Sequence, residues 1–136
     1  MSIVRITLQP LQPEAIINKV KTSDSGCVAA YVGLIRDNSR GKSVLSVEYT
    51  DVDGIAEKRL QTIADEIKQK FPVNNVALVH RVAKLKVGDI NLVVAIAAAH
   101  RTEGFAACQY AVNRFKEIKP AKKKETYQDG SVWEGE

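Results

Sequence analysis

Aromatic residues are scarce in this chain: three Phe, four Tyr and one Trp make 6% of 136 residues. Platforms that stack single-stranded nucleic acid ordinarily need more, and only Tyr127 and Trp133 lie near the densest run of lysines. Cysteine is scarcer still. Cys27 and Cys108 stand far apart, without CxxC spacing or a neighbouring His/Cys group. They are expected to be buried reduced thiols, and neither a metal site nor a bound cofactor is expected. No apolar run approaches the roughly 18 residues of a membrane span. The opening MSIVRITLQP lacks the apolar segment of a secretory signal and reads as a strand. A cytoplasmic protein with no membrane contact is therefore expected. The net charge of +4 is modest; it suits an anionic partner or substrate, of which nucleic acid is only one kind.

What is present is the pattern of one ordinary domain, residues 1–136, with no repeat or linker. QPEAIINKVKT fits a short helix with Pro13 in its first turn. GCVAAYVGLI is a nearly continuous apolar strand closed by Arg36, and RDNSRGKS after it reads as an exposed, mobile loop. VLSVEY alternates, with Leu45, Val47 and Tyr49 on one face. From Gly54 to Lys70 the period becomes helical: Ala56, Leu60, Ile63, Ala64, Ile67 and Phe71 form one stripe, and Pro72 stops it. VALVHRV is a strand, KLKVGD a short connection with a glycine turn, and INLVVAIAAA a central buried strand. A helix over 102–118 follows, with Phe105, Cys108, Val112 and Phe115 as its apolar face. The order β-α-β-β-α-β-β-α predicts an α+β sandwich of helices on a mixed or antiparallel sheet.

Chemistry could reside in three places. AAAHRTEGF puts His100 and Arg101 where a buried strand ends and a helix begins. The free N–H groups and dipole of that helix start, with Thr102 as N-cap, make an anion site. The same residues also fit an arginine paired with a carboxylate and a histidine closing the sheet. The pair recurs as His80-Arg81 inside an alternating strand, which sends the two side chains to opposite faces and reads as structural or interfacial. Arg36, three residues beyond Gly33, fits either a bidentate phosphate ligand or an ordinary surface arginine.

The third place is FKEIKPAKKKETYQDG, with five lysines in nine residues. Lys116 and Lys123 are seven apart, but the ring of Pro120 forbids an unbroken helix between them. They can meet only if the segment after the proline folds back. Lys116 is also explained by the negative end of its helix, and Lys122 to Lys124 by a solvated basic run. Crowded cations disfavour protonation, which suits lysines to acid–base or nucleophilic work. TYQDGSVW reads as a small terminal turn or hairpin.

Taken in order, YVGLIRD, GKSVLSVEY, IAEKRLQTIADE, VALVHRVAKLKVGD, AAAHRTEGFAACQYAVNRFKEIKP and KKE…DG…W resemble the large, catalytic subunit of molybdopterin synthase over roughly residues 26 to 133. The resemblance implies an α/β hammerhead-like two-layer fold with an additional small antiparallel β subdomain. It implies an enzyme that converts cyclic pyranopterin monophosphate to molybdopterin. Sulfur would come from the C-terminal thiocarboxylate of a small ubiquitin-like carrier subunit, whose Gly-Gly tail inserts into the large subunit. It implies also a homodimer within a heterotetramer. Lys116 and Lys123 match the family's catalytic lysines. Leu34, Ile35, Arg36, His100, Arg101, Lys124 and Glu125 match its substrate-binding positions. The chain departs from the family at Ala121 and Lys122, where an apolar residue and tryptophan are usual, and at Asn113, Thr50, Val52 and Ile55. Two other readings compete. A carrier-binding relative with weak or no synthase activity would show binding without turnover. A basic nucleic-acid-binding domain would show steep salt-dependent affinity for generic DNA or RNA.

Overall fold

Ile90–Ala98 is apolar on both faces, a pattern that demands cover on both sides of a sheet. In the computed structural model, which describes residues 2–135, this strand, β7, is an inner strand with seven of its nine residues buried. The sheet around it has the order β1-β5-β7-β2, built from β1 (Ser2–Thr7), β5 (Asn75–Arg81), β7 and β2 (Cys27–Leu34). β1 runs parallel to β5, and the other pairs are antiparallel. Helices α2 (Ala56–Lys70) and α3 (Arg101–Ile118) cover one face, where Leu60, Ile63 and Ile67 cluster with Val76, Leu78, Val94 and Ile96. The short α1 (Pro13–Val20) covers the other, placing Ile16 and Val20 against Ala77, Val79 and Val93.

A second, five-stranded sheet contains β3 (Asn38–Ser39), β4 (Lys42–Thr50), β8 (Lys122–Tyr127) and β9 (Val132–Gly135), with β6 (Lys84–Lys86) also on β4. Its own cluster is Ile35, Val44, Val47, Leu85 and Tyr127. The architecture is thus the expected α+β fold with an added antiparallel β subdomain. No helix among the described residues is long and apolar enough to cross a membrane.

Several local expectations are corrected. RDNSRGKS is a β-hairpin: Ser39 pairs with Lys42, and Arg40 and Gly41 form a two-residue turn, both with positive φ. Leu45 is half exposed, not on a common face with Val47, because a bulge between Val44 and Ser46 shifts the alternation. KLKVGD contains strand β6, and the terminal hairpin expected at TYQDGSVW is present as β8–β9 but reaches back to take in the lysine run from Lys122. Cys27 is only partly buried, whereas Cys108 is buried, and both are free. Helix α3 begins a residue early, with His100 as N-cap and Thr102 inside the helix. Phe105 is 64% exposed. The face of α3 against the sheet is made of Gly104, Ala107, Cys108 and Ala111. A Cβ on Gly104 would stand 3.2 Å from the Cys27 sulfur, so the helix packs close and the next position, Phe105, rotates outward.

Candidate active site

Helix α3 ends where Lys119 adopts a left-handed conformation, φ 51°, with its N–H donating to the Phe115 carbonyl at 2.9 Å. Pro120 then blocks further helix, and the chain returns as β8. This reversal is the fold-back that the lysine spacing requires. Lys116 from the helix and Lys123 from the strand line one cleft of about 860 Å³, together with Arg36 and Leu34 from the end of β2. The cleft lies between the two sheets: Asn91 and Leu92 contribute from β7, and Tyr49, Lys123 and Trp133 from the second sheet.

Strand alternation sorts the lysine run. Lys123, Glu125 and Tyr127 share one face of β8. Lys122 and Lys124 occupy the other, and Lys122 approaches Glu134 on β9 at 4.0 Å. Neither Lys122 nor Lys124 lines the cleft. The lysine standing at the family's usual tryptophan position is thus turned away from it, while Ala121 is buried in the cleft wall. Lys119, on the αL turn, is a cleft residue as well.

Glu125 is buried, and its carboxylate takes a hydrogen bond from Tyr127 Oη (2.6 Å), another from Ser39 Oγ (2.9 Å) and the Lys123 ammonium at 3.2 Å. Burial pushes this carboxyl up, but the hydrogen bonds from Tyr127 and Ser39 and the charge of Lys123 outweigh it, and the net shift is downward. Glu125 is therefore anionic and holds Lys123 in place. Ile35 sits in the second sheet's core, its N–H donating to the Asp89 carbonyl at 3.0 Å, and it does not line the cleft.

The cleft floor holds His80, which reads from sequence as structural or interfacial. His80 is fully buried between Tyr49 and Phe115, with edge-on ring centroids at 4.9 and 5.0 Å. Its Nδ1–H donates to the Asn91 carbonyl at 2.7 Å. Burial lowers its pKa more than that hydrogen bond raises it, favouring a neutral imidazole. Asn91 Nδ2 donates to Tyr49 Oη at 3.0 Å, and burial raises the Tyr49 phenol further than this bond lowers it. A Cβ on Gly33 would lie 2.5 Å from Asn91 Oδ1, so the glycine answers the close approach of a neighbouring side chain. Arg81 faces away, with Nε donating to the Leu8 carbonyl at 3.0 Å. Six of the seven residues of β5 are buried, where an alternating strand was expected, and that burial seals His80 in.

His100 and Arg101 are not part of this cleft. They line a separate hollow of about 620 Å³ with Cys27, Thr102 and Glu103. From Leu92 to His100 the chain advances eight residues, on the order of 25 Å at ~3.3 Å each. Within one chain they cannot meet Lys116. The helix-start N–H groups there are the positive, anion-favouring end of the dipole, but Glu103 brings its own carboxylate into the first turn. Among the described residues no group of three or more His, Cys, Asp or Glu side chains is placed to hold a metal ion.

A mixed α+β scaffold whose two sheets enclose a cleft lined by arginines and lysines defines a class: a protein built with a cationic cleft suited to an anionic ligand. A family model described as MoaE protein matches residues 6–118. The molybdopterin synthase catalytic subunit of Halalkalibacterium halodurans is 34% identical over 128 residues, spanning 94% of this chain and 82% of that relative. The crystal structure of molybdopterin synthase from Staphylococcus aureus superposes with a TM-score of 0.90 at 34% identity, covering 98% of this chain and 97% of that one. A complex of subunits 1 and 2 of molybdopterin-converting factor from Helicobacter pylori matches with a TM-score of 0.72 over 97% and 89% of the chains. At 12% identity, that last likeness is one of fold alone. The chain belongs to the MoaE protein family.

Proposed function

We propose that the cleft of this enzyme of molybdopterin synthesis transfers sulfur from the C-terminal thiocarboxylate of a small carrier subunit to cyclic pyranopterin monophosphate. The observation that carries this reading is the convergence of Lys116, Lys123 and Arg36 on one cleft from three separate elements. Arg36 holds the substrate phosphate, and Leu34 stands at the mouth. In each round the thiocarboxylate sulfur bonds to a substrate carbon as that carbon's bond to oxygen breaks; in one round the oxygen stays on the phosphate as its ring opens, and in the other it leaves as water. Water then cleaves the acyl–sulfur bond, and the carrier leaves with a carboxylate. Two rounds make the dithiolene. Lys116 and Lys123 move protons to and from the substrate and steady the negative charge that builds at sulfur and oxygen. Glu125 acts on the substrate through Lys123, and Lys124 stands behind the strand.

The carrier is a small ubiquitin-like protein, and residues 1–136 act as a single catalytic-subunit domain in the cytoplasm. Two free thiols suit that compartment. The subunit is a homodimer within a heterotetramer. His100 and Arg101 then serve as substrate ligands for the cleft of the second copy, since their own is out of reach. The test is molybdopterin formation from cyclic pyranopterin monophosphate and thiocarboxylated carrier. Lys116→Ala and Lys123→Ala are each expected to lose at least a hundredfold in turnover, in the range of lost general acid–base catalysis, with unchanged circular dichroism. Full activity in either would remove that lysine from the chemistry. Wild type that binds carrier without making product would favour the inactive-binder reading.

A further inference from the structure

The β3–β4 hairpin carries Arg40 to the rim of the same cleft. Its two-residue turn, Arg40 at φ 55° and Gly41 at φ 77°, is a type I′ geometry in which asparagine or glycine is the favoured first residue. Arginine is a poor choice for the turn itself. Its guanidinium carbon lies 3.7 Å from the Trp133 ring centroid, so the planar group is stacked on the indole face. Its Nε is 3.7 Å from Glu125 Oε1, within ion-pair range but too long for a hydrogen bond. Glu125 already has Tyr127, Ser39 and Lys123 as closer partners and does not need a fourth. Among the described residues no hydrogen bond is donated by the Arg40 guanidinium. A fork of N–H donors is thus held over the indole in a cleft that also contains Arg36, Lys116, Lys119 and Lys123.

We propose that Arg40 is a further ligand-binding side chain of this site, presented by the hairpin and preset by Trp133 to grip an oxyanion with two N–H groups. Stacking occupies the face of the guanidinium and leaves its edge, the part that matches a phosphate or carboxylate, free for the ligand. The oxyanion is either the phosphate of the small substrate or the C-terminal carboxyl group of the carrier. The inference rests on the cleft being the anion site described above.

NMR titration of the full chain with inorganic phosphate, and separately with a peptide ending in a Gly-Gly carboxylate, tests it. Arg40→Asn keeps a residue the turn prefers, so its melting temperature should equal or exceed that of wild type. Its affinity for one of the probes should fall about tenfold, the scale of a lost charge-assisted contact. Arg40→Lys should recover part of that affinity, because it restores charge without the fork. A loss confined to phosphate assigns Arg40 to the small substrate, and a loss confined to the peptide assigns it to the carrier terminus. If Arg40→Asn binds both probes like wild type while Arg36→Ala loses phosphate, the cleft stands and the role of Arg40 falls. Wild type that binds neither probe overturns both.

Discussion

Glu125 offers one negative charge to two cations and two hydroxyls, and its burial makes the arrangement sensitive to any change in that charge. Gln at this position keeps the shape and loses the ion pair with Lys123, whose ammonium would then swing free in the cleft. Glu125→Gln is expected to lower turnover about tenfold or more, with a smaller effect on the apparent affinity for substrate. The pH dependence has a definite sign. The carboxyl's folded pKa lies below its ordinary value of 4.5, so its contribution to stability is complete above 4.5 and fades as pH falls through the folded value. Urea unfolding should therefore show wild type exceeding Glu125→Gln by the most near neutral pH, with the gap narrowing below pH 4.5. A gap that stays constant into acid would mean that Glu125 stabilises by shape and not by charge.

Helix α3 and strand β8 are coupled through the turn at Lys119, the point on which the geometry of both lysines depends. A non-glycine residue in left-handed conformation costs roughly 1 kcal/mol, so Lys119→Gly should raise stability by about 0.5–1 kcal/mol by thermal or urea unfolding. The hydrogen bond from Arg59 Nη1 to the Lys119 carbonyl, 3.2 Å, uses backbone and survives the change. A destabilised Lys119→Gly would show that the side chain packs for more than the turn requires. Elements of this kind were largely legible in sequence. The stripe from Ala56 to Ile67, the apolar run of β7 and the proline break at Pro120 each follow from local pattern. Pairing between distant strands was not. The place of β6 beside β4, the bulge that exposes Leu45 and the division of Lys122–Lys124 between two faces depend on register, which no single segment encodes. The cleft was half legible for the same reason: Lys116, Lys123 and Arg36 could be singled out, but Arg40, Tyr49 and His80 become neighbours of them only when the sheets meet.

The cationic side chains that are candidates for the ligand stand in two separate places, the cleft between the sheets and the start of α3, and one chain cannot bring them together. If the enzyme works as a symmetric dimer whose clefts each take His100 and Arg101 from the other copy, the two defects Lys116→Ala and Arg101→Ala fall in different clefts or in the same one, depending on how chains pair. In a hybrid of one Lys116→Ala chain and one Arg101→Ala chain, one cleft receives both lesions and the other receives neither. Random pairing makes half the dimers hybrid, and each hybrid has one intact cleft of two. Co-expressed in equal amounts and assayed at a substrate concentration where each parent is inactive, the two variants should therefore recover about a quarter of wild-type activity. If His100 and Arg101 instead act only within their own chain, every copy carries a lesion, and mixing restores nothing beyond the sum of the parents. Sequential affinity purification of the two variants carrying different tags separates failed pairing from failed complementation, because hybrids that form and stay inactive leave the shared cleft without support.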